Sequence, residues 1–177
     1  MRAEFSAFYY HILDFVFLAP TGEIKDDLIV ANYDQGQSRF VGAELRMDVA
    51  FTRKLWVLSS LDYVNAKLID TEMPLPRIPP LRARVGFEWL DKGFRLNPEV
   101  VMARDQNRLF PTETRTAGYT TVGVTASYIF TRQHHAQIIS LNAFNLNDRL
   151  SRNHLSFIKG GAPEIGRGVR LVYIIRF

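Results

Sequence analysis

The four histidines are the residues of this chain with the clearest potential for chemistry. They are His11, His134, His135 and His154. Imidazole and carboxylate groups together suit zinc, and His154 shares a long connecting segment with Asp148, while Asp26 and Asp27 lie in an earlier one. The histidines come from separate segments without ligand spacing. Solvated loop polarity therefore explains them better, and we predict no metal site and no cofactor.

Catalytic chemistry has no comparable starting point. The acidic residues are scattered along strand-like segments, Ser-His-Asp spacing is not suggestive, and no glycine-rich loop opens a helix. The sequence therefore predicts a protein that is not an enzyme. Arg104, Asp105, Arg108 and Arg115 cluster in one segment that could attract an anionic ligand, although a solvated loop tip is the simpler interpretation.

Composition narrows the class of protein. Of 177 residues 47% are hydrophobic, cysteine is absent, and no run of 18 apolar residues could form a transmembrane helix. The mean hydropathy of −0.07 is typical of strands that alternate apolar and polar residues. A net charge of +4, spread along the chain without a basic stripe, argues against a nucleic-acid partner.

The elements that must position any site are strands, because apolar residues recur with a period of two rather than 3.6. We predict an all-β chain, an antiparallel transmembrane β-barrel segment of about eight strands. The expected strands cover residues 4–17, 41–51, 55–63, 81–89, 95–102, 121–130, 139–144 and 168–177. Pro98 cannot donate to a sheet ladder, so we expect a bulge or break there.

Connection lengths alternate along the chain. Three are short and polar, around residues 53, 91–93 and 133–135, and four are long, at 20–37, 65–80, 104–118 and 147–166. Short turns at one end of a sheet and long loops at the other are typical of outer-membrane barrels. Aromatic residues also gather at the short-turn ends, where they predict an interfacial belt. The belt consists of Phe51, Trp89, Tyr128, Phe130 and the final Phe177.

Each predicted strand has one apolar row and one row of small polar or charged residues. We expect the apolar rows to face lipid, because an eight-stranded barrel has little interior room for so many large side chains. Arginine placed in lipid would cost about 2–4 kcal/mol near the midplane, so the orientation is fixed. A soluble ligand-binding barrel, with the apolar row inside, ranks behind two membrane alternatives.

The last third of the chain carries a recognisable pattern. Asn145-Leu146-Asn147-Asp148, then Pro163 with Gly166-Arg167, and a C-terminal phenylalanine resemble the closing segment of TonB-dependent outer-membrane receptors. Earlier strands look similar to later barrel strands of these receptors. Gly168, Tyr173, Ile175 and Phe177 resemble the closing-strand signal read by the barrel-assembly machinery.

The resemblance implies a location and a function. Residues 1–177 would be the C-terminal portion of a 22-stranded, plugged barrel in a Gram-negative outer membrane, without the plug and signal peptide. The intact receptor would take up a metal or metal chelate. Its partners would be outer-membrane lipid, the barrel-assembly machinery, the plug with the remaining strands, and TonB through the plug. The alternative is a self-closed eight-stranded outer-membrane protein with an adhesin or structural role, in which the first strand pairs with the last.

Overall fold

A single antiparallel sheet of eight strands forms the molecule. The structure, a computed structural model, describes residues 1–132 and 135–176. The strands are β1 (Arg2–Lys25), β2 (Leu28–Ala50), β3 (Leu55–Leu68), β4 (Arg82–Asp91), β5 (Phe94–Ala103), β6 (Tyr119–Arg132), β7 (His135–Phe144) and β8 (Gly168–Arg176). Each strand pairs with its neighbours in chain order. The described ranges contain no helix of the length and apolar character needed to cross a membrane.

The sheet is open at both edges in the described part of the chain. β1 pairs only with β2, and β8 pairs only with β7. The predicted all-β, antiparallel fold is confirmed, and an open sheet agrees with part of a larger barrel. Closure through β1 and β8, which the self-closed alternative requires, is not observed among these residues.

The prediction of a long loop at residues 20–37 was wrong. Residues 20–37 belong to a hairpin in which β1 continues to Lys25 and β2 begins at Leu28. Asp26 and Asp27 form its turn with φ of 51° and 61°, the left-handed geometry that two-residue hairpin turns need and that aspartate tolerates. The register between β1 and β2 is irregular before Phe15 and again directly after Pro20, where the proline ends the regular ladder.

The other connections keep the predicted alternation. The described short turns join β2 to β3 and β4 to β5 at one end, whereas residues 69–81, 104–118 and 145–167 connect strands at the opposite end. β3 runs on to Leu68, so the second loop is shorter than expected. The third predicted short turn falls partly on Gln133 and His134, which lie outside the described residues.

Pro98 interrupts the sheet on one side only. The ladder between β4 and β5 lacks pairs at Phe87 and Glu88 and then resumes in the same register, so there is a break without a bulge. The Asn97 side chain donates to the Phe87 carbonyl at 3.0 Å. Because proline has no amide proton, this side chain supplies a donor that the main chain lacks.

The two faces differ as the alternation predicts. Apolar rows align in register, as where exposed Val85 and half-buried Val100 and Val122 meet across three strands. The other face carries ion pairs between strands, Arg84 with Glu99 and Arg95 with Glu88, each at 3.3 Å.

The buried core sits at the long-loop end rather than in the middle of the sheet. Phe17, Ala66 and Leu75 form it. Half-buried apolar residues surround them, namely Phe15, Ala19, Phe40, Leu68, Ile78 and Phe110. Phe17 and Phe110 meet edge to face at 6.0 Å between ring centroids, a favourable aromatic geometry. The loops therefore fold onto the sheet and position one another.

Candidate functional site

Asn145, the first residue of the predicted closing motif, joins the two ends of the last long loop. Its amide nitrogen donates to the carbonyls of Arg149 at 3.0 Å and Ile165 at 3.3 Å, and its Oδ1 accepts from the Arg149 amide at 2.9 Å. The side chain is buried, and φ is +48°. Asparagine tolerates this left-handed conformation better than most residues, which gives the residue type a structural reason.

Asn147 continues the sheet after β7 has ended. Its side-chain amide accepts from the Val122 amide at 3.1 Å and donates to the Thr120 carbonyl at 2.8 Å. The Leu146 amide also donates to the Val122 carbonyl at 2.8 Å. The Asn147 side chain thus makes the hydrogen bonds to β6 that a peptide group of β7 would make if that strand continued. The loop therefore leaves the sheet in a defined direction.

The second half of the motif meets the first. Asp148 accepts from the Arg167 amide at 3.3 Å and lies 3.8 Å from its guanidinium. A Cβ on Gly166 would come within 3.7 Å of Asp148 Oδ1, which is ordinary contact. Pro163 is exposed in the segment that leads into β8. Asn145, Asp148 and Arg167 therefore come together at the loop base.

The predicted closing-strand residues lie on β8, except for Phe177, which is outside the described residues. Gly168 lies opposite Phe144, whose ring would stand 2.4 Å from an added Cβ, so a larger residue there requires the ring to move. The Tyr173 hydroxyl donates to Gln137 Oε1 at 2.6 Å, and Ile175 is exposed. Recognition of this strand by the assembly machinery stays a prediction.

The belt aromatics that the structure describes lie near the short-turn end. Phe51 is in the turn after β2 and is exposed, and Trp89 is two residues before the end of β4. Tyr128 and Phe130 stack at 5.9 Å near the end of β6. Their role at a membrane interface stays a prediction.

The histidines do not share an environment. His11 is exposed on β1, His135 begins β7, and His134 lies outside the described residues. His154 is only 3% exposed, so its interpretation as solvated loop polarity was wrong. Burial arises because the 145–167 loop packs on the 104–118 loop. Among the described residues, no three His, Asp or Glu side chains converge as metal ligands would.

Polar contacts surround the His154 ring. Nδ1 lies 2.8 Å from Thr116 Oγ1 and 3.1 Å from Lys159 Nζ, whereas Nε2 is 3.8 Å from Glu113 Oε1 and has no hydrogen-bond partner. Burial, and then the Lys159 ammonium, lower the pKa of His154 below 6.5, while Glu113 opposes them. Burial also lowers the pKa of Lys159, again against Glu113.

Glu113 ties a third loop to this group. Its two carboxylate oxygens accept from the amides of Arg77 at 2.8 Å and Phe110 at 3.1 Å. The Arg77 guanidinium lies 3.7 Å from the centre of the Phe157 ring, close enough for a cation–π contact. Loops 69–81, 104–118 and 145–167 thus share one buried polar cluster.

The charged residues that suggested an anion funnel are already engaged. Asp105 accepts from the Gly118 amide at 2.6 Å and pairs with Arg115. The Gly118 hydrogen bond, followed by Arg115, lowers the pKa of Asp105 below 3.8. Arg108 donates to the Tyr63 hydroxyl at 3.1 Å. These contacts order the loop, so the funnel interpretation receives no support from Asp105, Arg108 or Arg115.

What these residues do chemically is to fix loop geometry. The sequence singled out Asn145 and Asp148 through a motif, but Glu113, Thr116 and Lys159 carry no local signal. Their importance comes from contacts between segments about 40 residues apart, such as Lys159 Nζ with the Thr114 carbonyl at 2.6 Å, 45 positions away.

Comparison with known proteins gives the following. The family model described as TonB dependent receptor-like, beta-barrel matches residues 1–146. No curated protein sequence matches the chain. The copper transporter OprC is similar with a TM-score of 0.82 at 22% identity, over 94% of this chain and 27% of that chain.

Two further solved structures share the fold. BauA, the ferric preacinetobactin receptor from Acinetobacter baumannii, gives a TM-score of 0.70 at 18% identity, over 98% of this chain and 26% of that one. The FpvAI–pyocin S2 complex gives a TM-score of 0.67 at 12% identity, over 96% of this chain and 23% of that one. This chain therefore spans about a quarter of the length of the structures that it matches.

Proposed function

The chain belongs to the TonB-dependent receptor-like β-barrel family, and from this premise we propose that it forms part of the wall and outer loops of an outer-membrane receptor. In the intact protein that wall would serve uptake of a metal or metal chelate. The family match over residues 1–146 carries the proposal, and the open sheet with one exposed apolar face supports it.

The apolar rows support a lipid-facing wall. Leu45 and Leu61 are paired across β2 and β3 and are each about two-fifths exposed. Water contact with such rows is unfavourable by about 25 cal/mol per Å² of apolar surface, and hydrocarbon removes that cost. The opposite face, with Arg84 and Glu99 paired at 3.3 Å, suits a lumen that holds water or a plug.

The ligand class rests on the relatives. One similar structure is titled a copper transporter and another a ferric preacinetobactin receptor. We therefore propose a metal or metal chelate as cargo. Energy would come from TonB through the plug, and insertion would use the barrel-assembly machinery reading β8.

Metal uptake by the full receptor tests this proposal. A strain that lacks the gene is complemented with the whole receptor, and copper and ferric-chelate accumulation are measured with and without TonB. TonB-dependent accumulation of one cargo is expected. Equal accumulation in the deleted and complemented strains for both cargo classes would contradict the proposed cargo.

Membrane integration is tested separately. Fractionation should find the protein in the outer membrane, and heat-modifiable migration should report a folded barrel. The 177-residue chain alone should not give a compact, heat-modifiable species in lipid, since β1 and β8 have free edges in the described structure. A compact species from this chain alone would instead favour the self-closed alternative.

A further inference from the structure

The contact between the last two long loops depends on the protonation state of one buried histidine. The Lys159 ammonium carries three N–H donors, and three acceptors surround its Nζ: the Thr114 carbonyl at 2.6 Å, Thr116 Oγ1 at 3.1 Å and His154 Nδ1 at 3.1 Å. An ammonium can only donate. His154 Nδ1 must therefore be an unprotonated acceptor in this arrangement.

The Thr116 hydroxyl leads to the same assignment. Because Thr116 Oγ1 accepts from Lys159, its own proton is free to be donated to His154 Nδ1 at 2.8 Å. Two donors thus point at one ring nitrogen. The single proton of the neutral ring then sits on Nε2, where the nearest acceptor, Glu113 Oε1, is too far at 3.8 Å for a hydrogen bond.

Protonation of His154 would undo this arrangement. A proton on Nδ1 would face the Lys159 ammonium about 3 Å away and would remove the acceptor that both Lys159 and Thr116 use. Like charges at this distance in a buried site repel strongly. We propose that His154 is a proton-controlled latch that holds the 145–167 loop on the 104–118 loop and releases it on acidification.

The other charges around the ring decide whether the latch can work. Glu113 alone favours a protonated ring, but both of its oxygens already accept main-chain amides, from Arg77 and Phe110. The cleft that His154 helps to line also carries Arg82, Arg84, Arg152 and Glu164; since Arg84 is paired with Glu99, two cations stand there against one anion. On the third loop, Arg77 is held over Phe157. The surroundings as a whole oppose a second positive charge.

The sign of the effect follows from linkage. The closed loops favour neutral His154, so closure is fully present above pH 6.5, the value of a free histidine. Below pH 6.5 the open-to-closed ratio rises by up to about tenfold for each pH unit, until the closed state itself takes up the proton. Acidification from pH 7.5 to 5.5 should therefore increase the open-to-closed ratio by up to about tenfold.

Spin labels can measure this opening in the full receptor. The chain has no cysteine of its own, and with any cysteine elsewhere in the receptor replaced by serine, Thr114→Cys and Gly161→Cys place one label on each loop. Thr114 is exposed, and a side chain at Gly161 meets no atom within 4 Å. Dipolar broadening between the labels should be strong at pH 7.5 and fall at pH 5.5, and the change should reverse on return to pH 7.5.

Matched variants identify the group that titrates. His154→Asn keeps an acceptor near the Nδ1 position but cannot titrate, so its broadening should stay the same at both pH values. His11→Asn, a substitution of an exposed histidine on β1, should respond to pH as wild type does. Lys159→Gln keeps a donor without the charge, and should reduce the pH response while retaining His154.

Two results would overturn the latch. One is unchanged broadening in the wild-type receptor between pH 7.5 and 5.5. The other is a normal acid response in His154→Asn, or in Lys159→Gln if the first variant does not fold. The test reads loop distance rather than transport, so its outcome is independent of which metal the receptor carries.

Discussion

Replacing Asn145 with alanine should release the last long loop from the sheet without unfolding the wall. The substitution removes three hydrogen bonds, two donated by Nδ2 and one accepted by Oδ1. It also leaves alanine at φ of +48°, a conformation that costs an ordinary L-residue about 1–2 kcal/mol.

The expected magnitude comes from these two contributions. Each hydrogen bond contributes about 1 kcal/mol net, but Arg149 and Ile165 are exposed, so water compensates part of the loss. We expect the free energy of loop opening to fall by about 3 kcal/mol, which corresponds to roughly 100-fold more open loop. Asn145→Gly removes the same hydrogen bonds, but glycine adopts the left-handed conformation at no cost. The increase in the open-loop population should therefore be about tenfold smaller for glycine than for alanine.

Hydrogen exchange of the full receptor in detergent provides the measurement. The Asp148 amide donates to the Asn145 main-chain carbonyl, and the Arg149 amide donates to Asn145 Oδ1. The Glu164 amide donates to the Ser151 carbonyl. All three should exchange faster in Asn145→Ala, while amides of β3 should not change. Equal exchange rates in the loop of wild type and Asn145→Ala would refute the assignment of Asn145 as the loop clamp. Equal effects of the alanine and glycine substitutions would refute the backbone contribution.

Three further predictions concern the faces, the loops and the sheet ladder. Leu61→Arg on the apolar face should make the folded state in lipid less stable by about 2–4 kcal/mol. Leu58→Arg, on the opposite face of the same strand, should have little effect. Equal effects of the two substitutions in lipid unfolding experiments would contradict the lipid-facing orientation. Asp105 contributes to loop order above pH 3.8 and loses that contribution as pH falls through its lowered pKa. Protection of the 104–118 amides, measured as exchange relative to the intrinsic rate at each pH, should therefore fall in acid for wild type and stay constant over the same pH range in Asp105→Asn. Asn97→Ala should lower the free energy of unfolding by about 1 kcal/mol, and adding Pro98→Ala should restore part of it by returning a main-chain donor, which a double-mutant comparison would check.

The sequence was informative where structure is local and periodic. β4, at Arg82–Asp91, alternates from Arg82 to Trp89 between an apolar row and a row of two arginines, Gly86 and Glu88, and its predicted bounds differ by only one or two residues. The 20–37 loop was predicted wrongly, since Pro20, Gly36 and several Asp and Asn residues resemble a loop, yet an Asp26-Asp27 turn lets both strands continue. Turn chemistry outweighed composition there.

Loop burial could not be read from the sequence for a different reason. His154 belongs to a polar stretch with no apolar period, and its burial depends on Thr116 and Glu113 in another loop. Such contacts are fixed by the spacing of β5, β6 and β7 in the sheet, which brings the loop bases side by side. Only the register, which the sequence specifies indirectly, reveals which loops can touch.

The loop end of this wall is better understood as a second small folded layer than as a set of connectors. Phe17, Ala66 and Leu75 give it an apolar core, and His154 with Lys159 gives it a buried polar one. Parts of such a layer can open locally while the wall stays folded. Asn145 ties together the two ends of the 145–167 loop, while His154 ties the loops to one another. Loss of the Asn145 clamp should therefore expose the loop base at every pH, whereas protonation of His154 should separate the loop tips and leave the base closed.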